Sequence, residues 1–82
     1  MSLRPMTASE VKQWYDRELT VAFPPDECKP LSEIAALMER GRYEALGLYE
    51  EDALLGYATL LWEPAWPGYV LLDHLGVTAA RR

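Results

Sequence analysis

Asp73 and His74 are the neighbouring side chains best suited to moving protons in a chain with one histidine and one cysteine. They stand in the run Leu71-Leu72-Asp73-His74-Leu75-Gly76-Val77. Read as a strand, this run puts Asp73 on a face with Leu71, Leu75 and Val77 and points His74 the other way. A carboxylate among apolar neighbours suits a general base working near neutral pH. It suits equally a structural acid satisfied by backbone amides or an arginine. His74 reads as a core or surface histidine before a catalytic one. Glu27, Glu50 and Glu63 would suit a pocket for a cationic amine in an acidic protein, although each taken singly is a solvated charge. Cys28 has no second cysteine to pair with and reads as a small, partly buried side chain. A lone cysteine also makes a reducing, cytoplasmic setting the default.

The 82 residues allow one small domain. Half of them are hydrophobic and 11% aromatic, so the chain is globular rather than disordered. The net charge of −5, with scattered Lys and Arg, argues against nucleic acid as a partner. The N-terminus has no apolar run of the signal-peptide kind, and no apolar stretch is long enough to span a bilayer. No metal is implied.

These side chains need elements to position them. Leu3 and Arg4 predict a short extended segment. Thr7-Ala8-Ser9-Glu10 fits a capping box, and Val11, Trp14, Tyr15 and Leu19 follow at helical spacing. A helix over residues 8–20 follows, stopped before Pro24-Pro25. Pro30 opens a second helix with the stripe Leu31, Ile34, Ala35, Leu37 and Met38, and Gly41 ends it. Tyr43–Glu50 and residues 53–63 predict two strands in a hairpin across Glu51-Asp52. Residues 69–77 predict a last strand, nearly all apolar and so central, with both faces covered. The order β1-α1-α2-β2-β3-β4 defines an α+β class with a mostly antiparallel sheet.

That order, with those residues, resembles the N-terminal half of the GNAT superfamily of N-acetyltransferases. Leu55-Gly56-Tyr57-Ala58 resembles the family's third strand. His74-Leu75-Gly76-Val77-Thr78-Ala79-Ala80-Arg81-Arg82 resembles its fourth strand and the approach to the signature glycine loop. Val77 and Arg82 are five residues apart, as the valine and the loop-opening Arg or Gln are in the family. Phe23-Pro24-Pro25-Asp26-Glu27 resembles a loop between the first two helices of some bacterial members. The glycine loop itself would begin after Arg82, so the resemblance implies a partial domain, inactive when isolated.

Acyl transfer from a thioester to an amine needs a base for the amine and donors for the carbonyl oxygen. The resemblance implies acetyl-CoA as co-substrate and direct attack by a small-molecule or peptidyl amine. Asp73 would then be the base. Backbone groups of Leu75, Gly76 and Val77 would bind the pantetheine arm and carbonyl, and Arg82 would approach the pyrophosphate. A second expectation is independent of catalysis. The strand over residues 69–77 would present an apolar edge, through which the chain would self-associate or act as an interaction module.

Overall fold

The computed structural model describes residues 1–78, which form four strands and two helical segments. Strand β1 is Ser2–Pro5. Helix α1, Ala8–Trp14, starts at a capping box: the Thr7 side chain accepts the Glu10 N–H, and the Glu10 carboxylate accepts the Thr7 N–H at 2.8 Å. The same carboxylate takes two 2.8 Å bonds from the Arg4 guanidinium. Arg4 and the Thr7 backbone hold the Glu10 carboxyl down to about 2. Arg4 also lies 3.9 Å over the Tyr49 ring, which ties β1, α1 and β2 together.

The helical segment outruns its expected end at residue 20. It continues as a π-helix over Tyr15–Leu19 and closes with Thr20–Ala22. The Thr20 N–H reaches back to the Tyr15 carbonyl, while the Thr20 hydroxyl bonds the Asp16 carbonyl at 3.2 Å. A hydroxyl has taken the acceptor that an α-helical N–H would use. Phe23 is extended, as the residue before a proline must be. Pro25–Glu27 form one 3₁₀ turn.

Helix α2, Leu31–Glu39, begins after Pro30. Gly41, at φ +70, supplies the left-handed residue that ends it. The Gly41 N–H bonds the Met38 carbonyl and the Arg42 N–H bonds that of Leu37, the two bonds of a Schellman cap.

Strands β2 (Tyr43–Glu50), β3 (Ala53–Leu61) and β4 (Leu71–Val77) complete an antiparallel sheet in the order β1-β2-β3-β4. Along β2 the odd-numbered residues face the helices and are buried. Trp14, Leu19 and Ile34 pack from the helical layer onto Tyr43, Ala45, Tyr57 and Leu61 of the sheet. Trp14 meets Tyr57 edge-on at 5.5 Å between ring centroids. Each such large apolar side chain contributes roughly 1.5–3 kcal/mol of burial.

Two strand bounds differ from expectation. β3 ends at Leu61 and β4 starts only at Leu71. Between them Trp66 N–H bonds Glu63 and Tyr69 N–H bonds Trp66, so the connection is built of turns. β4 is also not central: among the described residues it pairs with β3 alone and forms the sheet edge. Its apolar composition misled because Leu71, Leu72, Leu75 and Val77 are exposed rather than covered. Among the described residues, no helix is long and apolar enough to cross a membrane.

Candidate functional site

β4 carries one residue more than its neighbour. Ala58 faces Leu75 and Thr59 faces His74, whereas Leu60 faces Leu72 and Leu61 faces Leu71. Asp73 is left without an opposite residue, which makes a β-bulge. Strict alternation fails there. Asp73 and His74 both reach the helical side, while Leu75 and Val77 line a trough of about 450 Å³ on the other side with Leu3, Leu48 and Leu55. The expected sharing of a face by Asp73, Leu75 and Val77 is therefore corrected. Thr59, fully buried, holds the bulge from the neighbouring strand: its Oγ1 accepts the His74 N–H at 2.9 Å.

The segment between the two helices clamps the bulge from above. The Phe23 ring meets the His74 ring edge-on at 4.6 Å. His74 Nε2 lies 3.2 Å from the Glu27 carbonyl oxygen and must carry the proton, because a carbonyl only accepts. Lys29 Nζ donates to Asp73 Oδ2 at 2.8 Å. The same Oδ2 lies 3.4 Å from His74 Nδ1, a buried nitrogen that forms no hydrogen bond. The Lys29 and Asp73 side chains keep 26% and 15% of their exposure. Asp73 therefore sits against a lysine ammonium, not the expected apolar surroundings, and the partner is neither a backbone amide nor an arginine.

Tyr43 lies beneath, on the buried face of β2. Burial pushes its phenol up to about 12, with the charge of Asp73 adding to the same effect. Burial also pushes the Cys28 thiol up, and its Sγ leans 3.7 Å from the Leu19 and Phe23 carbonyls. It has none of the electropositive surroundings that make a nucleophilic cysteine.

Of the other residues singled out by sequence, Leu75, Gly76 and Val77 run along the edge strand. In such a strand alternate N–H and C=O groups aim away from the sheet. Gly76 is needed where it stands: a Cβ there would collide with the Tyr57 hydroxyl and ring. Arg82 lies outside the described residues. Glu27, Glu50 and Glu63 do not converge. Glu27 is used through its carbonyl, Glu50 ends β2 at the hairpin turn, and Glu63 pairs with Arg42 at 3.1 Å beyond the opposite end of β3. Lys29 and Thr59 escaped the sequence reading. Their roles depend on the bulge, and nothing in the local sequence marks it.

No protein-family model and no curated protein sequence matches the chain. Among solved structures it superposes on a Bacteroides thetaiotaomicron protein described as a "putative acetyltransferase from GNAT family". The TM-score is 0.72 at 24% identity, with the whole of this chain aligned to 47% of that one. The chain thus spans about half the length of that protein, and the likeness shows the fold: a GNAT-like α+β arrangement.

Proposed function

We propose that the chain supplies the base-bearing strand of a cytoplasmic N-acetyltransferase that moves an acetyl group from acetyl-CoA to an amine. The observation that carries this reading is the placing of Asp73 at the β4 bulge. It lies two residues from the edge backbone of Leu75, on a frame of the GNAT type. In the step, the amine nitrogen attacks the thioester carbonyl, the C–S bond breaks, and CoA leaves as the thiolate, which becomes the thiol on taking up the proton relayed through Asp73. Asp73 takes the proton that the amine gives up. Leu75, Gly76 and Val77 offer backbone groups to the pantetheine arm and the carbonyl, and the guanidinium of Arg82 is assigned to the pyrophosphate by its charge. The acceptor is a small-molecule or peptidyl amine.

Thiol release from acetyl-CoA over a panel of amines, in the natural polypeptide that carries these residues, tests the reading. Asp73→Asn should lower turnover by about 100-fold or more. An unchanged rate and pH profile would remove Asp73 as the base. The 82-residue chain by itself should bind acetyl-CoA weakly, because backbone contacts to pantetheine are few. Submicromolar binding by calorimetry would overturn that expectation.

The exposed edge favours a second reading, an interaction module that associates through β4. Leu75 keeps 66% of its exposure and Leu72 51%, and neither Lys nor Pro guards this edge. The opposite edge is four residues long and carries Arg4 and Pro5. A monomer by light scattering at high concentration would count against association.

A further inference from the structure

We infer that the outer face of the sheet, the one turned away from the helices, is an interface for a second copy of this chain, packed face to face across a two-fold axis. The inference goes beyond both readings above, because it uses neither Asp73 nor the β4 edge.

The strand registers lay the outer side chains in rows. Leu3, Leu48, Gly56 and Val77 stand side by side across the four strands, and Pro5, Leu46, Ala58 and Leu75 form the next row. Leu60 and Leu72 continue the face beyond the end of β1, where Glu44 stands at its rim. The two complete rows contain no charged or hydrogen-bonding side chain. Leu3, Leu72, Leu75 and Val77 each keep half or more of their exposure. An antiparallel sheet with one face in water carries polar side chains there. A contiguous apolar face of this extent instead marks a surface that another element covers.

The relief of the face selects a second copy as the cover. Gly56 and Ala58 leave a trough of about 450 Å³ along β3, between leucines 46 and 48 of β2 and Leu75 and Val77 of β4. A two-fold axis parallel to the strands, midway between β2 and β3, lays β2 over the partner's β3 and β1 over its β4. Rows then meet rows. Leu48 falls over Gly56 of the partner subunit, and Leu46 over Ala58 of the partner subunit. Large side chains thus meet small ones, and each contact occurs twice. With β3 nine residues long, spacings of about 3.4 Å per residue and about 4.8 Å per strand give a face of about 600 Å². Two such faces cover about 1,200 Å², above the roughly 1,000 Å² that a specific interface must clear.

Sedimentation velocity of the 82-residue chain over a dilution series tests the interface. A dimer that dissociates on dilution is expected. Each copy carries a net charge of −5, so added salt should tighten the dimer by screening the repulsion between copies. Leu48→Lys lies two strands from the β4 edge and lowers that repulsion, yet it should weaken the dimer by about 100-fold or more. Its far-UV circular dichroism should match the wild type's, since an outward lysine on a strand meets water. Should it fail to fold, Leu3→Lys on β1 replaces it, with the same loss expected. A wild-type monomer at high concentration overturns both this interface and the β4-edge reading. A dimer that survives the substitution overturns the face-to-face packing and leaves the edge reading standing. The natural polypeptide that carries these residues should form the same dimer. A monomer there overturns the inference, and a fall in its melting temperature with Leu48→Lys would identify its own residues as the cover. No arm reads acetyl transfer, so the acetyltransferase reading stands or falls separately.

Discussion

The Lys29 ammonium and the Asp73 carboxylate, 44 positions apart in sequence, meet at 2.8 Å across the β4 bulge. The pair closes the segment between the helices onto the sheet edge, and so fixes the one carboxylate on that strand. Both partners keep less than a third of their exposure, so the pair is screened less than a surface ion pair. Lys29→Ala strands a carboxylate and Asp73→Asn strands an ammonium. Each should cost about 1–3 kcal/mol in urea denaturation. The double variant should cost less than the sum by about 1 kcal/mol. Strict additivity would show that the two charges do not stabilise one another.

Thr59 is the other half of the bulge. Its hydroxyl is the partner of a backbone N–H buried with it. Thr59→Val keeps the shape and removes the acceptor, so the His74 N–H is left unsatisfied. The expected loss is about 1–3 kcal/mol. Thr59→Ser, which keeps the oxygen, should retain slow hydrogen exchange at His74, and Thr59→Val should lose it. Equal exchange in the two variants would mean that the hydroxyl does not hold the strand.

Local features of this fold were legible in the sequence, and its non-local features were not. Thr7 and Glu10 announce a helix start because both halves of the capping box lie within one turn. Gly41 announces a helix end for the same reason. Tyr43–Glu50 is marked as a strand by Gly47 and the turn after it; its burial alternates, but Leu46 and Leu48 on the outer face blur that alternation in the sequence. The bulge has no such local mark. It arises from a register change opposite Thr59 and Leu60, and it alone brings Asp73 and His74 to one side. Parity counting along β4 therefore placed Asp73 with the wrong neighbours. The same strand looked central because its leucines are apolar, yet composition does not reveal which strand lies beside it. Lys29 stood unnoticed between Cys28 and Pro30, since an ion pair to β4 cannot be read from spacing.

Gly76 separates backbone approach from side-chain chemistry. A Cβ at this position would run into the Tyr57 hydroxyl and the end of its ring. Tyr57 is buried against Trp14, so it cannot simply swing away. Gly76→Ala should therefore cost about 1–3 kcal/mol through overpacking. Truncating the obstacle, as Tyr57→Leu in the Gly76→Ala background, should relieve part of the clash, so the two costs should fall short of additive. A Gly76→Ala variant as stable as the wild type would show that β4 can move off Tyr57.

Glu10 gives the chain an acid-sensitive corner. The Arg4 guanidinium and then the Thr7 N–H hold its carboxyl at about 2, against an ordinary value of 4.5. A depressed native value means that the unfolded chain binds the proton more readily. The charged form therefore contributes its full stability above about pH 4.5, and that contribution fades as pH falls toward 2. Glu10→Gln keeps a group able to cap Thr7 but removes the charge. Its melting temperature should lie below the wild type's at pH 6, and the gap should close as pH is lowered to 2. Added salt should narrow the gap at pH 6, because Arg4 keeps 42% of its side-chain exposure and the pair is open to screening. A gap that stays constant from pH 6 to 2 would remove the Arg4–Glu10 charge pair as its source and leave only the cap.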